Sequence, residues 1–221
     1  MLNAILGTLY LIVLASIIGL PIGILSGIYL ARAGSVGFAA VVRFVTDVIA
    51  GTPSIVAGVV AYALVVIPMH QFSAVAGGVA LGFLMFPTVT RATEEAIKLV
   101  PKTIREAALA LGLPEWKAMS RVILPAASNG IVTAIMLGIA RVAGETAPLL
   151  LTVLGTNAVS FNPTSQISAL PLQIWNYSQS PYADWHRQAW AGAFVLFAIV
   201  VLLNLIARLL TYRVTKRIRN S

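Results

Sequence analysis

Two ionisable side chains, Arg141 and Glu145, stand inside an otherwise apolar run, Ala140-Arg141-Val142-Ala143-Gly144-Glu145-Thr146-Ala147-Pro148. A charge held at bilayer depth costs roughly 2.5–3.5 kcal/mol or more, so such residues mark function by default. Four apart, they are expected to share one helix face, with Pro148 disturbing the backbone just beyond. One reading is a self-neutralising pair that fixes helix packing. The other is an arginine that attracts an anion in transit while the glutamate orients it. A second stretch, Asp47-Val48-Ile49-Ala50-Gly51-Thr52-Pro53-Ser54, favours the anion reading. Here Gly51 would end one half-helix, Thr52 would cap the next and Pro53 would take its first position. The new helix start would present free amides and a positive dipole end at mid-membrane, which suits an anion. Pro87-Thr88 falls at comparable depth in a third apolar segment. The expected pathway residues are therefore Thr52, Ser54, Thr88, Arg141, Glu145 and Thr146. Asp47, four residues after Arg43, is expected to pair locally.

These groups need a membrane to give them meaning, and the composition supplies one. The chain has 221 residues, 59% hydrophobic and only 10% charged, more apolar surface than a soluble domain can hide. It has no cysteine, which excludes disulfides and thiolate metal sites. His70 and His186 are far apart, so no metal site is expected. A net charge of +8 would suggest nucleic acid in a soluble protein, but a bilayer explains it better, and no nucleic-acid partner is expected. No G-x-x-x-x-G-K-[ST] run occurs, so a P-loop ATPase activity is excluded.

Five segments, about 3–31, 40–68, 75–97, 129–156 and 188–211, are long enough to cross about 30 Å of hydrocarbon. The expected fold is all-α and polytopic, one membrane domain over residues 1–213 with a basic cytoplasmic tail at 214–221. In the first segment Gly19, Gly23 and Gly27 form a smooth face for close helix packing, and Pro21 is expected to bend it. Most Lys and Arg residues fall on one side of a five-span arrangement, among them Arg32, Arg43, Arg91, Lys98, Lys102, Arg105 and Arg121. That side is cytoplasmic and holds the 98–128 loop and the C-terminus; the N-terminus is then outside. The external stretch 156–187 carries Trp175, Tyr177, Tyr182 and Trp185, with Pro163, Pro171 and Pro181 as breakers. Its aromatics suit the membrane interface or a docking surface for an extracytoplasmic partner.

The cytoplasmic loop carries the most specific pattern, Pro101-Lys102-Thr103-Ile104-Arg105-Glu106-Ala107-Ala108-Leu109-Ala110-Leu111-Gly112-Leu113-Pro114. Thr103 and Glu106 have capping-box spacing, so a helix of about nine residues is expected from Thr103 to Leu111. Gly112 would stop it and Pro114 would follow, a common exit. Small Ala107 and Ala108 would let another protein's surface approach closely. The stretch resembles the EAA loop of ABC-importer permeases, E-A-A-x3-G-x9-I-x-L-P. Glu106, Ala107, Ala108, Gly112, Leu124 and Pro125 match, with Val122 where the family has Ile. Pro53-Ser54-Ile55-Val56-Ala57-Gly58, Gly144-Glu145-Thr146-Ala147-Pro148-Leu149 and Leu170-Pro171-Leu172-Gln173-Ile174-Trp175 are similar to segments of phosphate-specific ABC permeases, A-type subunits above all.

That resemblance implies a multi-pass permease of a bacterial inner membrane that binds no cofactor itself. It implies a homologous second permease, two cytoplasmic ATPases that carry ATP and Mg, and an extracytoplasmic phosphate-binding protein. Thr103, Glu106, Ala107, Ala108, Gly112, Leu124 and Pro125 would serve ATPase coupling, and the chain itself would not be an enzyme. Such permeases usually carry one more N-terminal span. An importer of another oxyanion (sulfate, molybdate, phosphonate) would keep the same loop, and a secondary transporter would not need it.

Overall fold

The computed structural model describes residues 1–33, 37–156 and 158–219. Helix α1 (Leu2–Ala33) comes first, then α2 (Phe38–Gly51), α3 (Ser54–Met69) and α4 (Ala74–Lys98). Helix α5 (Lys102–Ala110) leads into α6 (Glu115–Ala143), which contains one π-helical turn at Met119–Ile123. Two short helices, α7 (Ala147–Leu150) and α8 (Leu170–Ser178), precede the last one, α9 (Ala183–Arg219). Four of these are long and apolar enough to cross a membrane, or five if the bent pair α2–α3 counts as one span. Residues 214–219 of the expected tail continue α9, while 220 and 221 lie outside the described residues.

The centre of the bundle is α4, whose length and mostly small side chains let other helices close in around it. A Cβ on Gly23 would sit 2.8 Å from the Val89 Cβ, and one on Gly27 would sit 2.6 Å from the Thr93 Cβ. The glycine face expected on α1 is therefore the face that packs on α4, where backbone approach replaces side-chain interdigitation. Helix α6 approaches in the same way at Gly138, whose Cβ would lie 2.6 Å from a Val89 methyl. Leu81, Leu84, Met85 and Val89 are fully buried between these neighbours. Pro21 and Pro87 lie inside α1 and α4 without interrupting either helix.

The outer end of α4 is tied down by backbone hydrogen bonds. Ser73 caps the helix by accepting from the Ala76 amide at 3.2 Å. The amides of Ser73, Ala74 and Val75 donate to the carbonyls of Thr152, Ser165 and Pro163 at 3.0, 2.9 and 2.9 Å. The orphan donors of a helix start are thus satisfied by the external stretch. That stretch is less broken than its prolines suggest, because Pro171 occupies the first turn of α8, where a missing N–H costs nothing. The α8 start is fixed to α1 by Thr8, whose buried hydroxyl accepts from the Leu170 amide at 2.8 Å. The aromatics cluster there, Tyr177 and Trp185 with ring centroids 5.0 Å apart.

Candidate translocation site and coupling loop

The expected second span is not one helix. Helix α2 ends at Gly51, two residues run extended, and α3 leaves at 106° to α2. The break falls where Gly51 and Pro53 place it, but the capping differs from expectation. Thr52 does not cap α3. Its hydroxyl donates back to the Val48 carbonyl at 2.7 Å, and Pro53 is the residue before the first turn rather than within it. No side chain caps α3, so its leading amides, at Ser54 and Ile55, have no acceptor of their own helix.

The second break corrects a larger expectation. The fourth span begins at Glu115, not 129, and its helix stops at Ala143 with Gly144 as its cap. Glu145 lies in the turn that follows, its amide donating to the Val142 carbonyl at 3.3 Å. Arg141 and Glu145 therefore do not share a helix face, and no salt bridge joins them among the described residues. The cause is local. Pro148 has no N–H and restricts the residue before it, and Gly144 offers the exit, so the helix ends one turn early and restarts as α7. Arg141 is exposed and makes no hydrogen bond or ion pair among the described residues, while Glu145 and Thr146 are half-buried.

The two breaks are neighbours. A Cβ on Gly58 of α3 would meet the Pro148 Cα of α7 at 2.7 Å, so the two helices touch backbone to backbone there. Ser54 lies four residues before Gly58 and Thr146 two before Pro148, each within about one helical turn of that contact. Open space borders both, since a Cβ on Gly51 or Gly144 would meet nothing within 4 Å. Thr88 is half-buried on α4, next to Val89, against which Gly138 packs. Arg141 is one turn further along α6 than Gly138.

At the end expected to face the cytoplasm α5 spans Lys102–Ala110, one residue earlier than expected at each end. Pro101 precedes its first turn and no side chain caps it, so Thr103 and Glu106 form no capping box. Gly112 does terminate it. With φ of 80° it takes the left-handed conformation, its amide donating to Leu109 O at 2.9 Å and that of Leu113 to Ala108 O at 3.3 Å. Those two bonds make a Schellman stop, which only a residue tolerant of positive φ allows cheaply. Of the two alanines, Ala108 is buried and Ala107 exposed beside exposed Thr103 and Glu106. Leu111 (84% exposed) and Trp116 (61%) extend that surface. Leu124 and Pro125 open the regular part of α6, after the π-helical turn.

Ion pairs hold this end together, and the sequence reading missed them. Glu94 is 1% exposed and accepts from Arg43 at 2.7 Å and Lys98 at 2.6 Å, with Arg91 at 3.5 Å. Asp47 pairs with Arg91 across to α4. Glu115 bridges Arg32 at 2.6 Å and Arg105 at 3.1 Å, joining the end of α1 to α5 and α6. The spacing of Arg91, Glu94 and Lys98 carried a local signal for the first cluster. Nothing local pointed to Arg43, 51 residues away.

Comparison with known proteins agrees with this architecture. The model of the family described as "binding-protein-dependent transport system inner membrane component" matches residues 4–220. The phosphate transport system permease protein PstA of Yersinia pestis is 47% identical over 94% of this chain and 71% of its own length. Its namesake from Haemophilus influenzae is 41% identical over 95% of this chain and 74% of its own. In fold, the chain is similar to a structure of the MetNI methionine ABC transporter in an inward-facing conformation, at a TM-score of 0.74 and 19% identity. That match covers 96% of this chain and 93% of the other. With a short helix between spans and two helix breaks meeting in the bundle, the chain belongs to the family of binding-protein-dependent transport system inner membrane components.

Proposed function

We propose that this chain is one half of the membrane pore of an ATP-driven importer of inorganic phosphate. It would work with a homologous second permease, two cytoplasmic ATPases and an extracytoplasmic phosphate-binding protein in a bacterial inner membrane. The observation that carries the reading is the meeting of two broken helices, with an unpaired arginine about one turn before the second break. The uncapped start of α3 offers amides and the positive end of a dipole. Arg141 adds a full charge and up to five donors, suited to an oxyanion. The identity to phosphate permeases over most of the chain supports phosphate as that oxyanion.

Glu145 supplies a basis for selection. Phosphate at neutral pH still carries a proton, whereas sulfate carries none. A carboxylate can accept a hydrogen bond from the first and only repel the second. Thr52, Ser54, Thr88 and Thr146 would offer hydroxyls along the way. ATP binding would close the ATPase pair, push α5 through its exposed Glu106–Ala107 surface and shift α4 and α6 against their neighbours. The chain would make no covalent bond; the energy would come from the partner polypeptides.

The test is uptake by the assembled transporter in proteoliposomes. Glu145→Gln is expected to keep phosphate uptake while letting sulfate compete, and unchanged discrimination would remove the glutamate from the mechanism. Glu106→Lys is expected to abolish ATP-driven uptake with the complex still folded. Normal uptake in that variant would end the coupling assignment.

A further inference from the structure

A cavity of about 130 Å³ lies beneath α5, where four elements meet. Its floor is apolar, with Ala31 from α1, Ile97 from α4 and Ile123 from the π-helical turn of α6. Its rim carries Lys98, Lys102 and Arg105, and no carboxylate lines it. Lys98 gives one bond to Glu94 and Arg105 one to Glu115, which leaves each with further donors. Lys102 makes no ion pair or hydrogen bond among the described residues. The start of α5, which no side chain caps, borders the same cavity through Pro101 and Lys102.

Lys98 and Arg105 each share one carboxylate and Lys102 has none, so an anion seated between them would meet one unmatched charge and the spare donors of two more. A tetrahedral oxyanion has enough acceptor oxygens to serve all three at once. The apolar floor and the neighbouring Leu99, 83% exposed, add a surface that an acyl chain could follow. Basic pockets between spans on the cytoplasmic side are known seats for anionic headgroups. We propose that this cavity is a binding site for a phosphate group, carried either by an anionic phospholipid or by free phosphate from the cytosol. Its occupant would bind α4 and α5 to each other. The site is separate from the one proposed for translocation, and neither depends on the other.

The experiment uses the purified protein in two arms. In the first, native mass spectrometry counts phosphatidylglycerol retained after extraction from nanodiscs of phosphatidylglycerol and phosphatidylcholine. In the second, lipid-depleted protein is titrated with radiolabelled inorganic phosphate. Lys102→Gln is expected to weaken binding about tenfold in one arm, the scale of a lost charge-assisted bond. Lys102→Arg should restore it. Lys117→Gln, on a side chain stacked over Trp116 at 5.3 Å and outside the cavity, should change nothing. Loss in the first arm assigns a lipid headgroup, and loss in the second assigns free phosphate. Phosphate binding that disappears in Arg141→Gln but survives Lys102→Gln belongs to the translocation pathway and overturns the proposal. So does equal binding by wild type and Lys102→Gln, or no binding in either arm.

Discussion

The two charged regions of the bundle are built on opposite plans. At the basic end three carboxylates are each shared among cations from different elements: Glu94 with Arg43, Arg91 and Lys98, Asp47 with Arg91, Glu115 with Arg32 and Arg105. At the helix breaks Arg141 and Glu145 stand near each other in sequence and ignore each other in space. The first plan buys positional certainty where helices must hold together under load. The second leaves charge available to something that is not part of the chain. Charges are expensive in both places, and only what they do with that cost differs.

The contrast can be broken most severely at Glu94. Glu94→Ala would take a buried carboxylate away from Arg43, Arg91 and Lys98 together, with an expected loss of roughly 3 kcal/mol, read as a lowered unfolding midpoint in detergent. Close behind comes Gly27→Val. Its added carbons would enter space held by Thr93, for an expected cost of about 1–3 kcal/mol in the same assay. Arg141→Gln should behave in the opposite sense. Stability should stay within about 0.5 kcal/mol, because the side chain is exposed and unpaired, while phosphate uptake falls at least about tenfold. A large loss of stability there would erase the distinction. The smallest effect is expected from Glu115→Gln, since Arg32, Arg105 and Glu115 are all about half exposed. The unfolding midpoint should fall only slightly, and less at high salt.

Much of this architecture can be read from local chemistry. Long apolar runs, the Gly19–Gly23–Gly27 face, the break at Gly51–Pro53 and the stop at Gly112 each follow from what a few adjacent residues permit. Partnerships between distant residues do not. Arg43 finds Glu94 only because α2 folds against α4, so spacing alone assigned it to Asp47. The same limit explains Arg141 and Glu145, where i,i+4 spacing assumes that the helix continues, and Gly144 with Pro148 ends it. Thr103 fits a capping pattern, yet Pro101 sets the helix start one residue earlier and takes the capping place. The start of α6 at Glu115 was hidden by its polar first turns, which the apolar-run criterion discards although they are helical.

The carbonyls of Thr152, Pro163 and Ser165 that hold the first amides of α4 have a mechanical consequence. A rod pinned at its outer tip can only swing, so displacement must grow toward Lys98. For a helix of 25 residues, about 38 Å long, a tilt of about 5° would carry the inner tip about 3 Å. Spin labels at the two tips should record a still outer end and a moving inner one during turnover. Equal excursions at both would mean that the fulcrum lies elsewhere.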